Sequence, residues 1–272
     1  MEQRYATNPA QMPGFTTADL REAYLVEDVF VPGEVRVVYT HHDRIVLGGA
    51  VPAGADLPLP TFEELRADYF LANRELGVVN VGTAGTVTTD GTTHELPTGA
   101  CLYVGRGTKD VVFAGDGAQF YLFSAPAHTT YPTTLALPGE GTVRELGDQV
   151  TSNRRTLTQY IHQGGIQSCQ VLLGVTRLHP GSMWNTMPAH THDRRTECYL
   201  YFDVPDDARV IHLMGEPTQT RHLVVADRQA VISPSWSLHS GVGTAAYSFV
   251  WAMAGENKSF DDMDAVPAAS LA

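Results

Sequence analysis

Residues 187–197 read MPAHTHDRRTE, and this stretch decides the fold that we predict for the chain. His190 and His192 are two residues apart, so on an extended strand their side chains point to the same face, because successive residues alternate between faces. Glu197 follows past a short corner, from which its carboxylate can swing onto the same centre. Two imidazoles and one carboxylate that meet at one point form most of the ligand set of a divalent cation.

A fourth ligand is expected from residues 234–239, which read PSWSLH. His239 ends this approach to a turn, and glycines follow at positions 241 and 243. Three imidazoles and one carboxylate leave room for water or substrate, as catalytic metal sites require, and they suit Zn, Fe, Mn, Ni or Co. The predicted ligands of one metal ion are His190, His192, Glu197 and His239.

Composition excludes several other classes of protein. The chain has 272 residues with a formal net charge of −12, which disfavours binding to a phosphate backbone, so we expect no nucleic-acid partner. No apolar stretch is long enough to span a membrane, and the N-terminal residues lack the pattern of a signal peptide, so we expect a cytoplasmic protein. Three scattered cysteines make a disulfide framework improbable.

Short, closely spaced β-rich segments predict an all-β fold with few short helices. One helix is expected from Thr17, and a second after a capping box formed by Thr61 and Glu64, running to residue 73. Residues 78–81 and 86–89 are rich in β-branched side chains, and Asp90-Gly91 supplies a hairpin turn. Residues 135–153 read as a polar connector, and a second β-rich block follows between residues 169 and 251.

The two β-rich blocks share a rhythm that suggests an internal duplication. Residues 96–105 and 226–234 each read as a turn, a strand and a corner marked by glycine or proline. We therefore predict two domains, residues 1–150 and 151–272. The first is expected to be degenerate, because residues 105–110, where the second block has 234–239, contain no imidazole. His41 and His42 are adjacent and would face opposite sides of a strand, so a structural role is expected for them.

The ligand motifs resemble those of the cupin superfamily, His-x-His-x4-Glu and Pro-x-Gly-x-x-His, with Trp236 where the second motif usually has glycine. Longer strings, among them residues 125–132, 184–195 and 231–244, are similar to the 5-keto-4-deoxyuronate isomerase family over nearly the full chain. The resemblance implies two tandem cupin domains, each a jelly-roll β-barrel. It also implies one Zn2+ per subunit and a homohexamer.

The same resemblance implies a reaction in pectin or uronate degradation, from 5-dehydro-4-deoxy-D-glucuronate to 3-deoxy-D-glycero-2,5-hexodiulosonate. A dication would stabilise an enediolate while a base moves a proton between neighbouring carbons, and a hydride shift is the competing route. The candidate bases are Glu197 and His212. A guanidinium is expected at the substrate carboxylate, and a tyrosine hydroxyl could bind substrate. The candidates are Arg155, Arg195 and Arg221, with Arg154 and Arg194 as further arginines, and Tyr201 or Tyr199.

Two other functions use the same ligand set. One is a cupin oxygenase with Fe(II) in the same shell. The other is a non-catalytic sugar-binding cupin, which the intact polar cluster disfavours because a purely structural core does not need one.

Overall fold

The computed structural model describes all 272 residues, and β-strands dominate it, which confirms the predicted fold class. The single α-helix, α1 (Thr17–Tyr24), begins at a capping box in which the Thr16 amide donates to Asp19 Oδ2 at 2.7 Å and the Asp19 amide donates to Thr16 Oγ1 at 3.3 Å. Three 3-10 helices span Pro9–Gly14, Glu63–Leu65 and Ala268–Ser270. None of the helices has both the length and the apolar character needed to span a bilayer.

Twenty-three strands make up the rest of the regular structure. The first twelve are β1 (Glu2–Arg4), β2 (Leu25–Val26), β3 (Val35–Thr40), β4 (Val46–Ala50), β5 (Leu57–Pro58), β6 (Arg74–Asn80), β7 (Gly85–Thr89), β8 (Thr92–Leu96), β9 (Cys101–Val104), β10 (Val111–Ala114), β11 (Phe120–Pro126) and β12 (Thr134–Ala136). The others are β13 (Thr142–Leu146), β14 (Arg155–Ile161), β15 (Leu172–Leu178), β16 (Trp184–Thr191), β17 (Arg195–Phe202), β18 (Val210–Glu216), β19 (Gln219–Val225), β20 (Ala230–Ser233), β21 (His239–Gly243), β22 (Ser248–Gly255) and β23 (Asp264–Ala265).

The chain divides into two compact units. Unit 1 comprises Met1–Arg4, Asp28–Thr142 and Gln159–Leu173. Unit 2 comprises Tyr5–Glu27, Val143–Thr158 and Gly174–Ala272. A division of the sequence at residue 150 stays a prediction.

The strand orders of the sheets repeat. One seven-stranded sheet runs β1-β3-β4-β11-β6-β9-β12, and another runs β13-β14-β15-β22-β17-β20-β2. Smaller sheets run β5-β10-β7-β8 and β19-β18-β21-β16-β23. In this correspondence β6 matches β17, β9 matches β20 and β10 matches β21, which supports the predicted duplication. The arrangement gives each unit two sheets whose inner faces bury the core.

Unit 1 fills its interior with apolar side chains. Phe113 and Phe120 lie with ring centroids 5.3 Å apart in a cluster of buried aliphatic and aromatic residues. Leu76 is the third residue of β6, where unit 2 has Glu197 in β17, and Val111 begins β10, where unit 2 has His239 at the start of β21. Both side chains are buried. The expected degenerate site of the first block is therefore a packed hydrophobic core.

The hairpin predicted at Asp90-Gly91 is confirmed. It joins β7 to β8, and both turn residues have positive φ, 45° and 82°, as a type I′ turn requires. The helix predicted after Thr61 is wrong. Phe62 precedes a three-residue 3-10 turn that has no side-chain cap, and Arg66 ends it with a φ of 48°. The weak apolar periodicity of this segment gives a longer helix no face to bury.

The connector predicted over residues 135–153 is wrong in part. It contains most of β12 and all of β13, although β13 is largely exposed and polar. An exposed edge strand takes its order from main-chain hydrogen bonds and carries little hydrophobic pattern.

Candidate metal centre

Strands β16, β17 and β21 of unit 2 carry three of the predicted ligands, and His192 lies one residue beyond the end of β16. His190 lies near the end of β16, directly opposite His239 at the start of β21. Glu197 is the third residue of β17. The pairing of β16 with β21 shifts register between Asn185 and His190, so the residues between them bulge out of the ladder. The bulge brings residues 186–188 to the wall of a cavity beside the imidazoles.

The four side chains form a closed ring of short contacts. Nε2 of His190 lies 3.0 Å from Nε2 of His192 and 3.0 Å from Nε2 of His239. Oε2 of Glu197 lies 2.9 Å from each of the other two nitrogens. All four ligand atoms lie within 4.8 Å of one another. Two ligand atoms that sit about 2.1 Å from one ion at a right angle are about 3.0 Å apart, so this spacing fits a metal–imidazole shell.

Hydrogen bonds alone do not satisfy this ring. Nδ1 of His192 lies 2.8 Å from the carbonyl oxygen of Asp262, so Nδ1 carries the hydrogen of the neutral ring and Nε2 presents a lone pair. His239 likewise donates to the main chain of Ser237. Lone pairs on these nitrogens therefore face the carboxylate of Glu197. Such an arrangement is repulsive until a cation lies between the donors.

Burial keeps the imidazoles neutral, which is the protonation state in which they bind a metal ion. Desolvation, reinforced by the nearby His239, lowers the pKa of His190 to about 2. Desolvation also lowers the pKa of His239. Neutral imidazole and ionised carboxylate are the forms that ligate.

A glycine beneath the site permits the close approach of three polar side chains. Gly241 lies opposite Asn185 in the β16–β21 ladder. A Cβ atom at position 241 would lie 2.9 Å from Asn185 Nδ2 and 2.9 Å from the Tyr201 hydroxyl. Any larger residue would have to displace these side chains. The glycine noted after His239 in the sequence therefore has a packing reason.

The ligands open onto a cavity of about 330 Å³. Its wall is mostly apolar, and its roof includes residues of the segment 256–263, which we call the roof loop. His190, His192 and Glu197 are among the residues that face it. The remaining lining residues are Leu146, Arg155, Leu157, Thr186, Met187, Pro188, Tyr199, Phe249, Trp251, Met253, Phe260, Asp261, Met263 and Ala265.

Of the predicted substrate-binding arginines, one lines the cavity. Arg155 faces it and donates through Nη1 to the Asn153 carbonyl at 2.8 Å. Burial lowers the pKa of the Arg155 guanidinium. Arg195 is buried beneath the roof loop, where it donates to main-chain carbonyls. Arg221 lies away from the cavity and donates to the carbonyls of Thr220 and Pro13.

Of the other predicted side chains, some line the cavity and some do not. Tyr199 lines the cavity, whereas Tyr201 is buried behind it with its hydroxyl 2.7 Å from His212 Nδ1. Desolvation lowers the pKa of His212 to about 3, and its Nε2 has no hydrogen-bond partner. Glu197 is thus the candidate base that reaches the cavity, and His212 does not line it.

Sequence reasoning missed the apolar wall, whereas it predicted that the acidic segment from Phe260 to Asp264 either covers a site or contacts a neighbouring molecule, and residues of this segment line the cavity. Arg195, Glu197, Tyr199 and Tyr201 alternate along β17 and share one face, so the two-residue spacing that found the histidines also marks Tyr199 as inward-facing. The bulge at residues 186–188 follows from strand register, and no local pattern in the sequence marks it.

The fold and the ligand ring together define a cupin with a candidate mononuclear metal centre in its second unit. Within that class, the family model described as KduI/IolB matches residues 26–267, and the chain belongs to this family. The family resemblance found in the sequence is thereby confirmed.

Relatives match the chain over its whole length. A protein of Kineococcus radiotolerans named 4-deoxy-L-threo-5-hexosulose-uronate ketol-isomerase is 67% identical over 278 residues and covers 100% of both chains. A protein of Shouchella clausii with the same name is 53% identical over 270 residues, 98% of each chain.

Solved structures support the fold. An IolB-like protein from Salmonella typhimurium LT2 superposes with a TM-score of 0.73 at 16% identity, covering 89% of this chain and 96% of that one. An oxalate decarboxylase from Lactobacillus farciminis gives a TM-score of 0.56 at 10% identity, covering 79% of this chain and 78% of that one.

Replacing a single ligand tests the metal centre. We expect His239→Ala or Glu197→Gln to weaken binding of Zn2+ by at least about 100-fold, because each removes one of four donors, more than the about 10–100-fold loss typical of an outer-shell partner. Metal content by mass spectrometry and affinity by chelator competition measure this. The matched control is His222→Ala, since His222 is an exposed imidazole outside the ring. Ligand variants that bind zinc like the control would rule out this site.

Proposed function

We propose that the chain is a metal-dependent 4-deoxy-L-threo-5-hexosulose-uronate ketol-isomerase, an intramolecular oxidoreductase that interconverts an aldose and a ketose. The observation that carries the proposal is the ring of three imidazoles and one carboxylate at the wall of a mostly apolar cavity. Full-length relatives bearing that name support the substrate class. Zinc, one ion per subunit, a homohexamer, a cytoplasmic location and a role in pectin breakdown complete the proposal.

The cavity wall suits a deoxy sugar acid. Its surface beside the ligands is formed by side chains such as Met187, Trp251 and Met253, which offer no hydrogen bond to a hydroxyl except at the indole. A hydroxyl buried against such a wall without a partner costs free energy, whereas a CH2 group does not. Arg155 is the one cationic side chain that lines the cavity, and a guanidinium pairs well with a carboxylate.

The chemistry requires one proton to move from the hydroxyl-bearing carbon to the neighbouring carbonyl carbon, and a second proton to move from the hydroxyl oxygen to the carbonyl oxygen. A divalent cation, when bound, stabilises the negative charge that develops on the two substrate oxygens. Arg155 orients the substrate through its carboxylate. Glu197, which faces the cavity, holds and returns the proton.

Tyr199 serves as the hydroxyl that stabilises the oxygen charge. It lines the cavity, hydrogen-bonds to Glu197 and lies 3.5 Å from Thr186 Oγ1. Desolvation, followed by the charge of Glu197, raises its pKa well above the usual range, so it remains a protonated donor. A donor aimed at a developing oxyanion accelerates the step.

The reaction is tested by proton NMR with the deoxy-ketouronate as substrate. We expect metal-stripped protein to be inactive and metal-restored protein to convert the substrate anaerobically, because the charge stabilisation depends on the cation. In D2O, deuterium should enter the product carbon if a proton is exchanged. Oxygen consumption would indicate the Fe(II) oxygenase instead, and binding of the sugar without turnover would indicate a sugar-binding cupin. Full turnover without deuterium incorporation would leave two routes, a hydride shift or a proton transfer by a base shielded from solvent.

Arg155→Met tests carboxylate recognition. We expect KM to rise roughly 10- to 100-fold with kcat little changed, because hydrogen bonds to a charged group contribute about 1.5–3 kcal/mol and are made before and during the reaction. Steady-state kinetics measure the two constants. Arg154→Met, at the exposed neighbouring arginine, is the control. Equal KM values for the two variants would remove Arg155 from the substrate site.

Tyr199→Phe tests the hydroxyl. We expect kcat at saturating Zn2+ to fall by about 10- to 100-fold or more, because a donor to the reacting oxygen is lost and the ring still packs. Tyr201→Phe provides the comparison, since that hydroxyl contacts His212 behind the cavity. A larger loss of kcat for the Tyr201 variant would contradict the assignment.

A further inference from the structure

The main chain of the roof loop reaches a metal ligand directly. His192 donates from Nδ1 to the carbonyl oxygen of Asp262 at 2.8 Å. This bond fixes both the tautomer and the rotation of the ring, so Nε2 points at the ligand ring. The orientation of the His192 ring therefore depends on where the roof loop holds the Asp262 carbonyl.

A buried arginine holds that carbonyl in place. Arg195 is 0% exposed, and its guanidinium donates to three roof-loop carbonyls, those of Ser259, Phe260 and Asp262. Nη2 of Arg195 lies 3.0 Å from the Asp262 oxygen, so Arg195 and His192 donate to one acceptor. The planar fork of a guanidinium suits several carbonyls at once, which an ammonium does not.

The neighbouring arginine holds the same loop residue differently. Arg194 contacts the Asp262 carboxylate through Nε at 2.9 and 2.8 Å, and its side chain is 39% exposed. This contact is multidentate and lies nearer to the solvent than the contacts of Arg195. Arg194 thus binds the side chain of Asp262 near the surface, whereas Arg195 binds its carbonyl oxygen in the interior.

The loop that Arg195 holds also closes the cavity. Phe260, Asp261 and Met263 line the cavity, and Phe260 packs on Trp251 with ring centroids 5.3 Å apart. Immediately after the loop, β23 pairs with β16 so that Ala265 lies opposite His190. Two ligands, His190 and His192, are therefore tied to the segment that covers the substrate space.

We propose that Arg195 is a positioning residue that couples cation binding at His192 to closure of the roof loop, through the carbonyl oxygen of Asp262. When the loop is ordered, the Asp262 carbonyl accepts the hydrogen bond that orients His192. A cation bound to Nε2 in turn fixes the imidazole that donates this bond to the loop. Coupling of this kind is reciprocal: loosening the loop weakens cation binding, and binding the cation orders the loop. The inference rests on the cation site of the proposed function and is independent of the sugar.

The test compares Arg195→Gln, Arg195→Lys and Asp262→Asn with the full-length protein. Zn2+ affinity by chelator competition should weaken about 10- to 100-fold in Arg195→Gln, as for other partners of a ligating imidazole. Arg195→Lys should recover part of the loss through one remaining donor. Asp262→Asn keeps the carbonyl but removes the charge that pairs with Arg194 and alters the acceptor of Asn257, so its affinity for Zn2+ should fall less than that of Arg195→Gln. Arg177→Gln, at an exposed arginine paired with Asp203, is the control.

Hydrogen exchange of residues 256–263 gives the second readout. In the unsubstituted protein, added Zn2+ should slow exchange in this segment, and in Arg195→Gln at saturating Zn2+ the segment should exchange faster. Unchanged affinity and exchange in Arg195→Gln would overturn the proposal. If that variant fails to fold, equal loop exchange with and without Zn2+ in the unsubstituted protein overturns it as well. Loss of turnover with normal affinity and exchange would concern the reaction and would contradict this coupling.

Discussion

Three imidazole nitrogens and one carboxylate oxygen meet at a buried point of unit 2, and two of the three imidazoles have no hydrogen left to place between them. His192 uses its only hydrogen on the Asp262 carbonyl, and His239 uses its own on the main chain of Ser237. The lone pairs that remain face one another at hydrogen-bond distance. A protein interior tolerates such a cluster only if the rest of the fold holds it together or a cation joins it, because unscreened repulsion in a low-dielectric site is strong.

The surrounding structure meets this requirement through strand register. β16, β17 and β21 lie in sheets whose main-chain hydrogen bonds set the positions of His190, Glu197 and His239 before any side chain is considered. Unit 1 repeats the strand order and places Leu76 and Val111 at two of these positions. The same scaffold therefore encloses either a hydrophobic core or a polar centre. Its stability comes from sheet packing, and the centre is an addition to it.

The sequence reveals the ligands more readily than the cavity, and the reason is physical. Alternation along a strand is a local rule, so His190, His192 and Glu197 could be assigned to one centre from spacing alone. Burial beneath a loop depends on distant residues, so Arg195 was predicted beside the substrate and lies under the roof loop. The capping box at Thr61 failed for a related reason. A cap stabilises a helix that has an apolar face to bury, and the residues that follow do not provide one.

The residues on the inward face of β17 differ in role because each has different neighbours. Arg195, Glu197, Tyr199 and Tyr201 alternate inward, and each meets a different neighbourhood: the roof loop, the ligand ring, the cavity and the buried His212. Gly255 stands opposite Arg195 in β22, where a Cβ atom would lie 2.6 Å from the Arg195 Cα. The absence of a side chain there lets the strand that leads into the roof loop pass directly over the arginine that holds it. Because a strand is stiff, a shift of any one of these residues moves the others, so the roof, the metal ligands and the cavity hydroxyl are adjusted together.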